Sequence, residues 1–527
     1  MLIDSGFRVG GIGIPEIVLS TDRTLMSHHH HKEFLGFGTT AAPVVFPEFV
    51  WLELFAPRMK ADKNGLPWQA PYGLRKIEAK LKSAGYEADV VLPEKLDEAL
   101  VDAKILLISH HDYFGFGPPS STFASIFGRE TVNARSFKRF MNNPAIAEAK
   151  KRGLKIIAGG PAAWQWRHRE NLMKQWGIDC VFDGEGERII VDLVKKAING
   201  GTLPKYVEMS PADSPTLEEI PCIMRPSVNG LVEIMRGCPR GCKFCSVTHR
   251  PLRFIPMDRI EQEMKLNHEA GVKCLGLHSE DVLLYGGTGI IPNAEKVIEL
   301  NRVAKKYSDH VIWAHASIAA IVKGERESKL ISRVAEVLIN DKQKWWGAEI
   351  GVETGSVPLA RNTMPQKAKP YAIEQWPELV IEAAGIMQDV NMIPAMTVIA
   401  GLPDEKEEDV LRTMDLIDDL WDFKSIIMPM FFVPMGMLSN EDWFKAFKLS
   451  DTHILLLKRC LSHGALQGRN ILKEYFSDRW YGSIISTMYF GFLSTIEVIA
   501  KHKGYWSEPE KTSTRPSGES SGTEHAQ

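Results

Sequence analysis

The sequence predicts an α/β protein with two successive domains: a doubly wound parallel sheet, then an open barrel of six strand-helix units followed by a helical region. Three observations carry this. Apolar runs of four to eight residues alternate with amphipathic stretches from about residue 70 to residue 200 and again from 229 to 434. A proline-dotted polar segment, SPADSPTLEEIPCIMRPSVNG, separates the two runs. The second run holds six alternations, too few to close an eight-stranded barrel and enough for an open one.

Taken in order, residues 1–66 read as an N-terminal extension, too apolar to be disordered. In 67–205, APYGLRKIEAKLKSAGYEADVVL is a helix closed at Gly85 and followed by a strand, and AKILLISHHDYFG is a buried strand ending in a loop. LKIIAGGPAAW is a strand that stops at Gly159 and Gly160, and IDCVFDGEGE precedes the amphipathic RIIVDLVKKAING. Ligands of such sheets sit beyond the carboxyl ends of the strands, here the glycine-bearing loops 110–117, 159–164 and 184–187. After the linker 206–228, the second domain gives strands LVEIM, VKCLGLHS, HVIWAHAS, WWGAEIGVE, MIPAMTVIAG and SIIMPMFFV. Between them lie helices at 258–270, 293–307, 325–339, 374–390 and 405–421. Residues 435–506 are helical, and 507–527 form a polar tail expected to be disordered.

At 527 residues the chain can bury several cores. Its seven cysteines, three within eight residues, do not form the dispersed framework of a secreted scaffold, and the N-terminus lacks a signal-peptide pattern. A cytoplasmic location is the expectation. A net charge of −3 advertises no nucleic-acid surface. SIISTMYFGFLSTIEVIA, residues 483–500, is too short and polar for a membrane span and reads as a core helix. Its apolar content also admits a substrate channel or peripheral membrane contact.

The chemistry concentrates in MRGCPRGCKFCS. Cys238, Cys242 and Cys245 follow CxxxCxxC on a loop directly after the first strand of the second domain, with Gly237 and Gly241 supplying the turn. Structural zinc wants four ligands, and Cys180, Cys222, Cys274 and Cys460 make no second pair, although His249 lies nearby. Three cysteines around a four-iron cluster leave one iron open to a cofactor.

CxxxCxxC with Phe244 before the last cysteine resembles the signature of the radical S-adenosylmethionine (SAM) superfamily. The resemblance extends to HSED at 278–281, AEIGVETGS at 348–356 and IAGLPDE at 399–405. It implies a [4Fe–4S] cluster on the three cysteines and a SAM site made by Phe244, Glu280, Ser317, Glu353 and Gly401, with Glu349 the alternative to Glu353. Glu280 suits the cofactor's ammonium. It implies reductive cleavage of SAM to methionine and a deoxyadenosyl radical that takes hydrogen from an unactivated carbon, fed by a donor such as ferredoxin or flavodoxin.

The first domain resembles the Rossmann-like cobalamin-binding module that often precedes this core, through AGGP at 158–161 and GEGE at 184–187. Gly159, Gly160, Gly184 and Glu185 are then candidate cobalamin contacts. The DxHxxG fingerprint is absent, since His110, His111 and Asp112 stand in the wrong order. Domain order and the segment HSEDVLLYG are similar to archaeal enzymes that modify membrane lipid chains, such as tetraether ring synthases, so an apolar or lipid substrate is implied. A cobalamin-dependent radical methyltransferase is the alternative, and a non-catalytic iron-sulfur sensor or scaffold the third. The histidine run at 28–31 reads as a solvated loop, and the pairs Trp164/Trp166 and Trp345/Trp346 as core.

Overall fold

The structure, a computed structural model, describes residues 15–43, 47–476 and 482–509. The tail expected to be disordered falls, from residue 510, outside the described residues.

Six parallel strands form the first sheet: β1 (Ile17–Ser20), β2 (Ala88–Val90), β3 (Ile105–Ser109), β4 (Lys155–Gly159), β5 (Cys180–Asp183) and β6 (Tyr206–Glu208). Their order is β2-β1-β3-β4-β5-β6. Buried on both faces, β1 and β3 are apolar runs up to a closing serine, as an enclosed parallel sheet requires. This corrects the expected boundary at 67. The first strand comes from the N-terminal extension and pairs with both β2 and β3. Three apolar residues and a serine, without a following amphipathic helix, carry no periodicity to mark them. β6 likewise falls in the expected linker, which is packed, with Ile220 and Ile223 buried.

The second domain carries β7 (Leu231–Glu233), then a small antiparallel pair, β8 (Met235–Arg236) and β9 (Arg253–Phe254), around the cysteine loop. It continues with β10 (Cys274–His278), β11 (His310–Trp313), β12 (Trp346–Glu353), β13 (Met392–Ala400) and β14 (Ile426–Phe431). β7, β10 and β11 form one parallel sheet and β12, β13 and β14 another. A parallel bridge between His315 and Glu349 joins the two into a six-stranded arc. The expected helix at 325–339 is two, Ile318–Ser328 and Leu330–Leu338, meeting at Lys329 (φ +52°). Glu325 caps the second by accepting from the Ile331 and Ser332 amides.

Register fixes which side chains share the concave face. Glu349 pairs with Ala395 and Ala395 with Ile426; Gly351 pairs with Thr397 and Thr397 with Met428; Ile399 pairs with Met430. In-register residues of a sheet point the same way. All of these are partly open, whereas the intervening Met396, Val398 and Ile427 are buried under the outer helices.

The domains are joined by polar contacts. Arg236, just ahead of the cysteine loop, pairs with Glu185 (2.6 Å) and Glu187 (2.6 Å) of the first domain and with Glu233 (2.7 Å). Glu185 also pairs with Arg253 (2.7 Å). At the far edge, the Phe431 amide donates to Thr122 Oγ1 (2.7 Å) and Lys445 Nζ to Ser121 Oγ (2.8 Å).

Two further expectations are corrected. The histidine run is packed: His29 Nδ1 lies 2.6 Å from the Phe55 carbonyl, His30 Nε2 3.0 Å from that of Glu53, and the rings of His28 and His31 stack at 4.3 Å. The helix Gly482–His502 is not a core helix throughout. Tyr489 packs on Phe55 and Phe476, while Ile484, Val498 and Ile499 are exposed. Among the described residues no helix is long and apolar enough to cross a membrane. Of the tryptophan pairs, Trp166 and Trp346 are fully buried; Trp164 lies 6.1 Å from Trp443, and Lys32 Nζ sits 5.0 Å from the Trp345 ring.

Candidate functional site

The cysteine loop leaves β8 through Gly237 (φ +88°), where any side chain would meet the carbonyls of Arg250 and Pro251 at 2.6 Å. It is held from three directions. Arg240 donates to the carbonyls of Lys367 and Lys369 (3.1 Å each), the Lys243 amide to Thr363 O (2.9 Å), and the Met437 amide to Lys243 O (2.8 Å). Cys242 is buried, and Cys238 and Cys245 are half-buried; none of the three is in a disulfide. Burial pushes the Cys238 thiol up to about 12 and raises Cys242, with thiol-thiol repulsion adding to both. Such thiols need a bound cation to become thiolates.

No three His, Cys, Asp or Glu side chains among the described residues stand at single-metal spacing. The His249 side chain lies outside the described residues. Ligands to separate irons of a cube stand further apart than ligands to one ion, so the donor set still suits a cluster.

Around the loop the structure brings together most, not all, of the expected residues. Glu280 follows β10, and its Oε2 is buried without a hydrogen-bond partner; burial raises its pKa. It awaits a donor such as an ammonium. Glu353 ends β12 at φ +66°; its Oε1 accepts from Lys367 Nζ (2.5 Å) and its Oε2 from Thr397 Oγ1 (3.1 Å). Lys367 Nζ lies 5.9 Å from the Phe244 ring, and Cys242 and Cys245 act on its charge. Lys367 is absent from the sequence reading because it sits in an irregular loop, MPQKAKP, with no periodicity to flag burial. Glu349 is engaged elsewhere, with His315 (3.3 Å). The Ser317 hydroxyl donates to Asp281 Oδ2 (2.5 Å), leaving only its lone pairs for a ribose.

Gly401 (φ +82°) departs from expectation. A side chain there would meet the Phe444 ring at 2.0 Å, so the glycine is required by packing within the chain itself.

The four cobalamin candidates depart further. The Gly159 carbonyl accepts from Tyr113 (2.7 Å), Gly160 lies against Ser109 Oγ and Gly184 against Met209, and Glu185 is spent on Arg236 and Arg253. Where the strand order reverses, between β1 and β3, His110 Nε2 pairs with Asp22 Oδ1 (2.7 Å). Burial would raise Asp22, yet His110 holds it below the usual carboxylate range. Asp112 is likewise consumed, by the Phe116 amide (2.7 Å) and Gln165 (2.7 Å). These residues do not fit a corrin contact.

Residues 232–417 match the family model of the radical SAM superfamily. The chain carries a radical SAM domain. It runs from β7 through the cysteine loop to the helix Glu407–Asp419, and so contains Glu280, Ser317, Glu353 and Gly401. Curated relatives include tRNA-2-methylthio-N(6)-dimethylallyladenosine synthases from Thermotoga petrophila, 22% identical over 275 residues, and Syntrophomonas wolfei, 25% over 276. Each match covers 51% of this chain and 57% of the relative, little more than half its length. Ribosomal protein uS12 methylthiotransferase RimO of Chlorobium luteolum is 35% identical over 66 residues, 12% of this chain and 15% of that one. These relatives are named for action on tRNA and on a ribosomal protein, so the expectation of no nucleic acid finds no support among them.

Among solved structures, the radical SAM methyltransferase TsrM from Kitasatospora setae, with cobalamin and a [4Fe–4S] cluster, superposes with a TM-score of 0.51 at 13% identity, over 80% of this chain and 76% of that one. At that identity the likeness is one of fold: a sheet domain ahead of a partial barrel. The radical SAM domain implies a [4Fe–4S] cluster and SAM. Cys238, Cys242 and Cys245 would hold the first and Glu280 the amino end of the second.

Proposed function

We propose that this chain is a radical SAM enzyme that takes a hydrogen atom from an unactivated carbon. One observation carries the reading: within the radical SAM domain, the anchored three-cysteine loop reaches the end of β10 through Arg240 and Asp281 (3.6 Å), and the neighbouring Glu280 keeps a buried oxygen without a partner. When bound, the cluster supplies one electron to SAM, which yields methionine and a deoxyadenosyl radical. The chain's part is to bind and orient. Cys238, Cys242 and Cys245 would hold the cluster, Glu280 would receive the ammonium of SAM, and the Lys367–Glu353 pair fixes the floor between Phe244 and β12.

The finer reading is that the carbon belongs to an apolar chain, such as a membrane lipid. The partly open apolar residues Ile399, Met428 and Met430 on the concave face support it, as do the exposed apolar residues of the last helix, which suit peripheral membrane contact. Methyl transfer through cobalamin is the second reading, favoured by the fold shared with TsrM and opposed by the filled glycine turns. A ferredoxin- or flavodoxin-type protein would supply the electron.

The test is anaerobic reconstitution, reduction and assay for deoxyadenosine. Product formed without cobalamin supports the reading; a formed cluster that never yields product from SAM with lipid, tRNA or peptide candidates favours a sensor or scaffold. Cobalamin in the purified protein together with transferred methyl would favour methyl transfer.

A further inference from the structure

Arg240 lies midway between Cys238 and Cys242, and its guanidinium is turned inward, the residue being only 3% exposed. One end of that guanidinium is spent. Nη1 donates to the carbonyls of Lys367 and Lys369 (3.1 Å each), which pins the cysteine loop to the loop that carries the Lys367–Glu353 pair. The opposite edge is unspent: Nε and Nη2, both buried, make no hydrogen bond among the described residues. Nη2 stands 3.6 Å from Asp281 Oδ2, an ion pair beyond hydrogen-bond distance. Asp281, just after β10, is itself buried and occupied by Ser317, whose hydroxyl donates to Oδ2 (2.5 Å) and whose amide donates to Oδ1 (3.3 Å). Ser317 thus fixes Asp281, and Asp281 offers Arg240 charge without offering it an acceptor.

A buried guanidinium is costly unless both its charge and its donors are met, and the planar fork made by Nε and Nη2 is the part of arginine shaped for an electron-rich partner. Three thiolates around an iron cluster are such a partner. They carry negative charge that an added electron deepens, and in a buried setting a fixed cation acts on that charge strongly; net charge and hydrogen bonds at sulfur are what set a cluster's potential. We propose that Arg240 is a tuning residue that raises the reduction potential of the cluster through its fixed charge and its unspent donor edge, with Asp281 opposing it. The two together set how readily the cluster accepts its electron. This rests on the cluster of the function proposed above and deepens it, giving the arginine of the cysteine loop and the acid beside Glu280 a role apart from holding SAM.

The test is a redox titration of the anaerobically reconstituted full chain without SAM, followed by the electron paramagnetic resonance of the cluster and compared at equal iron content. Arg240→Gln should lower the midpoint potential by about 59 mV or more, a tenfold change in the equilibrium for one electron. Asp281→Asn, which removes the opposing charge at the same size, should raise it. Arg240→Lys, which keeps the charge and loses the fork, should fall between Arg240→Gln and the unsubstituted chain. Loss of a merely structural support would not move the two charges' variants in opposite directions. A potential unmoved in Arg240→Gln, or moved the same way by Arg240→Gln and Asp281→Asn, overturns the inference. Should Arg240→Gln not assemble the cluster, Asp281→Asn decides: a rise supports the inference, and a fall or no change overturns it. Absence of a cluster in the unsubstituted chain overturns this inference and the proposed function together, whereas a cluster with unmoved potentials overturns this inference alone.

Discussion

Lys367 donates to Glu353 at 2.5 Å, and both side chains are about nine-tenths buried beneath the cysteine loop. Gly351 leaves room for the pair as it stands: a side chain there would lie 2.0 Å from Glu353 Oε1 and 2.5 Å from Lys367 Nζ, so the pair would have to shift. Removing one partner of a buried pair strands a charge, at a cost of about 3–5 kcal/mol. Lys367→Met should therefore lower unfolding stability by roughly that amount, and Lys367→Met with Glu353→Leu should recover much of it. Denaturant titration checks this; additive losses would show that the pair is not coupled.

Gly401 gives a second test. Alanine there must adopt φ +82° and meet the Phe444 ring, so Gly401→Ala should cost about 2–4 kcal/mol from left-handed strain and overpacking together. Phe444→Ala made in that background should relieve the overpacking share and leave the strain. If the double variant is no better than the sum of the singles, Phe444 is not what fills the space.

Much of the fold was legible because both domains repeat one unit. Apolar runs of strand length with amphipathic helices between them placed all six barrel strands, and the cysteine spacing placed the loop that follows the first. β1 escaped since Ile17–Ser20 is four residues with no helical pattern behind it. Glu280 was legible as a carboxylate at a strand end. Lys367 was not, because it reaches the site from an irregular segment, and only tertiary packing reveals what such a side chain meets. Gly159, Gly160, Gly184 and Glu185 misled for the same reason: glycine turns and a strand-end acid serve ligand loops and domain packing alike, and here Arg236 and Arg253 claim Glu185.

His315 should titrate far from its ordinary value. Burial lowers it, but Glu349 and the Ser279 carbonyl prevail and bring it to about 9, with Glu280 adding; Glu33 and His278 face the same space. A raised histidine contributes stability that is fully present below the unfolded value near 6.5 and is lost as pH rises through about 9. NMR of the imidazole checks the value, and Glu349→Gln should return it towards 6.5. An unshifted titration in that variant would remove the ion pair as the cause.

The ionic hub at Arg236 ties the first domain to the strand that carries the cysteine loop. Arg236→Leu leaves Glu187 and Glu233 without their cation, Glu185 keeping Arg253, and should reduce iron incorporation on reconstitution several-fold, measured as iron per folded chain. Glu208→Gln, whose carboxylate pairs at the surface with Arg167, should leave iron content unchanged.

The central claim is that three cysteines hold a cluster whose fourth iron is open to SAM. The most direct measurement is electron paramagnetic resonance of the anaerobically reconstituted, reduced protein, with and without SAM. The account predicts about four irons per chain and a signal that shifts when SAM is added. Cys238→Ala, Cys242→Ala and Cys245→Ala should each abolish the signal, and Cys180→Ala and Cys460→Ala should retain it. A cluster that survives loss of any one of the three, or one whose signal ignores SAM, would contradict it.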